Sequence, residues 1–94
     1  MKLTKKQKQE ISLLYAHDFY YDEIIEWFEK HFPADTKQVF NSVLKSYDLT
    51  HKDWKKICKE VNDWGVEGGD LYETVGLDTM NTLLEKAHVN VYLL

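Results

Sequence analysis

From Thr4 to Ala87 the apolar residues return at helical intervals, in blocks that each open beside a residue able to cap a helix. This spacing constrains the fold more than any other property of the chain, because a half-buried strand needs strict alternation and none is found before residue 89. Thr4 and Gln7 have the spacing of a capping box, and Ile11, Leu14, Tyr15 and Phe19 follow on one face, so a first helix begins near Lys5 and fades near His17. Asp22 and Glu23 place negative charge at the start of a second helix, where the backbone dipole favours it, and Ile24, Ile25, Trp27, Phe28 and Phe32 give it an apolar face. The single proline, Pro33, disfavours a helical Phe32 and lacks a backbone N–H, so "FPAD" predicts an end there. Asp35 with Gln38 predicts a further capping box, opening a third helix that carries Val39, Phe40, Val43, Leu44 and Tyr47.

The pattern then restarts. Leu49 and Thr50 repeat the Leu3 and Thr4 pair, and Ile57 falls where Ile11 did. Thr50 with Asp53 caps a fourth helix, Leu49 can staple against Trp54, and the stripe runs Trp54, Ile57, Cys58, Val61. Gly65 predicts a left-handed stop and "EGG" a turn. Asp70 with Glu73 then opens a short helix, "LYETV", ended by Gly76, and Asp78 caps a last helix with Met80, Leu83, Leu84 and Ala87. The tail over 89–94, "VNVYLL", is strand-like in composition. The expected fold is all-α, with about six helices in a single domain over 1–94. Two three-helix units, 3–48 and 49–88, are expected to share one small core.

Composition narrows the function. One cysteine, Cys58, rules out an intramolecular disulfide framework, and the opening "MKLTKKQKQE" lacks the apolar run of a signal peptide, so a reducing, cytoplasmic setting is expected. No stretch approaches the roughly 20 apolar residues of a membrane span. All twelve cations are lysines, and the absence of arginine removes the commonest direct reader of guanine. The charge is uneven as well: residues 1–59 hold eleven lysines against nine acids, whereas residues 60–94 hold one lysine against seven. An anionic partner should prefer the first half.

The stretch "LTKKQKQEISLLYAHDFYYDEIIEWF", with its leucine-threonine start, a helix ending in "LY" and a "DEI" second helix, resembles the opening of transposase-type or regulator-type members of the helix-turn-helix superfamily. "LTHKDWKKICKEVNDWGVEGGDLYETVGLDTMNTLLEKA" is similar again, with Gly76, Leu77 and Asp78 at the family's turn of glycine, apolar residue and cap. The chain departs from the family in its turn from Glu29 to Asp35, which reads as longer than usual. The resemblance implies that the third helix, "DTKQVFNSVLKSY", enters the major groove of double-stranded DNA. Its outward residues would be Lys37, Gln38, Asn41, Ser42 and Lys45, with Lys5 and Lys6 adding positive charge from the first helix. Gln and Asn can pair bidentately with adenine, Ser can contact several bases, and lysines neutralise phosphate. A regulatory DNA-binding protein is the expected function, and a homodimer is compatible with it.

A second reading uses the acidic half. Glu60, Asp63, Glu67, Asp70, Glu73 and Asp78 could occupy a basic surface of a host protein meant for nucleic acid, as small inhibitors from phages and other mobile elements do. The remaining residues argue for plain structural roles. His17, His31, His51 and His88 are too widely spaced for a metal site, and His51 with Cys58 matches no ligand spacing. Cys58 and the tryptophans Trp27, Trp54 and Trp64 lie on or beside apolar stripes, where packing is the simplest role. The acids Asp18, Asp22, Glu23, Glu26 and Glu29 read as a solvated face. "GVEGG" lacks the lysine of a phosphate loop, and nothing assembles a nucleophile, base and oxyanion site, so no catalytic residues, cofactor or metal are expected.

Overall fold

A computed structural model describes residues 1–17, 21–64 and 69–89, with 62–64, 69 and 70 described through the backbone alone. Phe19, Gly65, the turn expected at Glu67 and Gly68, and residues 90–94 of the tail lie outside the described residues. The protein is all-α: α1 spans Lys5–His17, α2 Tyr21–His31, α3 Pro33–Ser46, α4 His51–Trp64 and α5 Gly69–Lys86. No helix among the described residues is long and apolar enough to cross a membrane.

Two of the capping boxes form as their spacing demands. The Thr4 N–H donates to Gln7 Oε1 at 2.9 Å while the Gln7 N–H donates to Thr4 Oγ1 at 3.1 Å, and Thr50 with Asp53 repeats the pair at 2.9 and 3.1 Å. The third does not form. α3 begins two residues before Asp35, at Pro33, with Phe32 in the cap position and no side chain bonding the helix start. Proline is at home there, because the first helical residue needs no N–H partner and its fixed φ already suits a helix. Phe32 is therefore the one residue between α2 and α3, and the corner is tighter than the sequence suggested.

α5 is the second departure. The short and last expected helices run together, through both Gly76 and Asp78. Gly76 is not a stop: a Cβ placed on it would lie 2.4 Å from the Tyr21 ring, so the missing side chain lets α2 approach α5. Asp78 is not a cap: the helix runs through it, and its carboxylate accepts a hydrogen bond from the Tyr47 hydroxyl of α3. This long helix is the spine of the molecule, packing against α2, α3 and α4, while α2 also packs against α1 and α3.

One core results. Ile11, Ile24, Phe28, Val75 and Leu83 are wholly buried, with Trp27, Val39, Val43, Leu44, Met80, Leu84 and Ala87 around them. Thr36 and Thr79 are also buried, and each donates its hydroxyl at 2.7 Å to the carbonyl four residues earlier, so neither leaves a polar group unpaired. The Trp27 indole reaches Glu10 Oε1 at 2.7 Å and ties α2 to α1. α4 differs from the rest: its stripe residues Trp54, Ile57, Cys58 and Val61 are all only half-buried, although it is the most sharply amphipathic of the five helices.

Candidate nucleic-acid interface and an aromatic groove

Helix α3 presents most of the residues expected to face DNA. Lys37, Gln38, Ser42 and Lys45 are exposed, on an arc of about 140° at 3.6 residues per turn. Asn41 falls inside that arc but is half-buried, and its Oδ1 is enclosed without a hydrogen-bond partner. Bidentate pairing with adenine needs both ends of the amide, so Asn41 is less accessible for it than its four exposed neighbours. Lys5 and Lys6 are exposed on α1, whose principal neighbour is α2 rather than α3.

A stronger basic feature lies on α4. Lys52, Lys55, Lys56 and Lys59 are all exposed, within an arc of about 100° opposite the Trp54 and Val61 stripe. The spacing of these four, at positions one, four, five and eight, is itself the mark of a single helical face. Asp53 flanks this row; its carboxyl is held below the usual range first by hydrogen bonds from Thr50 and then by Lys56 and Lys52.

Of the acidic face expected over Glu60 to Asp78, side chains are described for three residues. Glu60 and Glu73 are exposed, but Asp78 is half-buried and engaged by Tyr47. Glu67 lies outside the described residues, and Asp63 and Asp70 are described through the backbone alone. The four histidines are all exposed, and no group of His, Cys, Asp and Glu among the described residues could hold a metal ion. Burial and then Asp22 push the Cys58 thiol up, which favours the neutral, packed form over a nucleophile.

Acids do gather elsewhere. Four half-buried rings, one from each of four helices, form a chain: Phe40 of α3 meets Trp54 of α4 edge-on at 5.2 Å, Trp54 stacks on Tyr72 of α5 at 5.4 Å and 5°, and Tyr72 leans on Tyr21 of α2 at 6.1 Å. These rings line a cavity of 670 Å³ whose α2 wall carries Asp22, Glu26 and Glu29. Tyr72 donates its hydroxyl to Asp22, whose carboxyl is nevertheless raised above the usual range, first by partial burial and then by Glu26. Tyr21 is pushed up to about 12, first by burial and then by Asp22, with Tyr72 and Glu73 adding to it. The groove is therefore aromatic and electronegative, with Lys37 as the only cation on its wall among the described residues. Neither the ring chain nor the groove follows from any one stretch of sequence, since the four rings are spread over residues 21 to 72.

No protein family, no curated protein and no solved structure matches this chain.

Proposed function

We propose that the protein is a small regulatory protein that binds double-stranded DNA through the exposed face of α3. The observation that supports this best is the common exposure of Lys37, Gln38, Ser42 and Lys45 on one arc, directly after a corner of a single residue. The corner is shorter than the three to four residues that usually join such a pair, so the support comes from the exposed arc and not from the turn. The α4 lysines form a second exposed basic row, on a separate helix from that arc. With no arginine in the chain and the Asn41 amide partly enclosed, affinity comes mainly from the backbone and sequence selectivity is low.

The test is a titration of a duplex of about 20 base pairs at about 50 mM salt, followed by fluorescence anisotropy. Binding is expected to weaken as salt rises. Lys37→Ala and Lys45→Ala should each weaken it and lower the logarithmic salt slope by about one unit, whereas Gln38→Ala should change sequence preference and leave the slope intact. Absence of duplex binding by the wild-type protein at that salt overturns the proposal.

A further inference from the structure

The groove between α2, α3, α4 and α5 touches the proposed DNA face at Lys37 alone, and its acids would repel phosphate. We infer that it is a docking site for a basic segment of a partner protein, which lays lysine or arginine side chains along Asp22, Glu26 and Glu29 and against the rings of Trp54 and Tyr72.

Three observations carry this. The acids are spaced along one face of α2 over two helical turns, roughly 10 Å, which is more than one ammonium group can serve and suits two basic residues on one segment. The rings beside them are half-buried and already packed on one another, so they offer aromatic surface held in place to the stem and head of a cationic side chain. The cavity, at 670 Å³, is larger than a single side chain needs and has three carboxylates against one lysine, a charge that only a cation complements. Partial burial, and after it repulsion from Glu26, raise the Asp22 carboxyl in the free protein. An arriving cation relieves that repulsion, and the site is therefore poised for one.

The acids and rings of the groove take no part in the DNA reading, and Lys37, which stands on the groove wall as well as on the α3 arc, is left unchanged in the variants below, so each reading can fail alone. It is tested with the full chain and a capped alanine-based helical peptide carrying two lysines four residues apart, followed by amide and tryptophan-indole resonances in two-dimensional NMR. The peptide is expected to move the resonances of Trp54, Tyr72 and the groove side of α2. Matched peptides with glutamate in place of lysine should not. Asp22→Asn with Glu26→Gln should weaken binding about tenfold or more, and Glu29→Gln alone should weaken it less; circular dichroism confirms that each variant is folded. The inference is overturned if the lysine peptide leaves the groove resonances unmoved at millimolar concentration, if the glutamate peptide moves them equally, or if the folded charge-neutral variants bind as the wild type does. It is also overturned if spermidine binds as tightly as the peptide, which would make the site one for a free polyamine.

Discussion

At Gly76 two effects of opposite sign meet in one residue. A glycine in the middle of a helix costs about 1 kcal/mol relative to alanine, so Gly76→Ala would ordinarily stabilise α5. Here the new methyl would press into the Tyr21 ring, which is itself packed against Tyr72. Forcing such a ring aside costs about 1–3 kcal/mol, so the clash outweighs the propensity and Gly76→Ala should destabilise the protein. Removing the ring reverses the sign: in a Tyr21→Ala background, Gly76→Ala should stabilise by up to about 1 kcal/mol. Urea unfolding of the four proteins of this cycle measures the coupling, and equal effects of Gly76→Ala in both backgrounds would show that the ring does not need the gap. The sequence could show that a glycine stood at 76 but not why, because its reason is a tyrosine 55 residues away in the chain.

Helices α3 and α5 end alike. After α3 the Leu49 N–H reaches back to the Leu44 carbonyl at 2.9 Å and the Asp48 N–H to Lys45 at 3.1 Å. After α5 the Val89 N–H bonds Leu84 at 3.0 Å and the His88 N–H bonds Glu85 at 3.1 Å. Both are Schellman ends in which the following apolar residue folds back on the core, and both require a left-handed residue, supplied by Asp48 and His88 at φ 57° rather than by glycine. A side chain there costs about 1 kcal/mol, less for aspartate, whose short polar chain tolerates the conformation. His88→Gly should therefore raise the unfolding free energy by a few tenths to about 1 kcal/mol, and Asp48→Gly by less. Thermal unfolding reads both, and a loss of stability in either would mean that the histidine or aspartate side chain itself holds the turn. The starts of α1 and α4 were legible because a capping box is a local pattern. These ends, lacking glycine, carried no such local mark, and the start of α3 was misplaced because a proline that closes one helix can also open the next.

Over the whole molecule, charge and packing pull in different directions. The chain carries a net charge of −4, yet lysines cover the outer face of α4 while carboxylates line the groove on its inner side. That sorting by surface cuts across the division into a basic first half and an acidic second half, which is why the linear count located neither face. The acids that matter to packing stand beside tyrosines. Tyr21 is pushed up to about 12, and burial followed by Asp22 also raises Tyr72. Both phenols keep their protons in the folded protein at a pH where the unfolded chain, with tyrosines near 10, has lost them. The folded state then binds more protons than the unfolded one, so stability falls as pH rises. The contribution is complete below pH 10 and is lost through the window from about 10 to about 12, where the ionised rings would face Asp22 across the groove. Urea midpoints should accordingly hold steady from pH 7 to about 9 and drop steeply above 10, and Tyr21→Phe should flatten that drop while leaving the neutral-pH circular dichroism spectrum helical. If Tyr21→Phe followed the wild-type profile between pH 10 and 12, the alkaline loss would belong to other groups and the junction of α2 with α5 would not be where the fold resists ionisation.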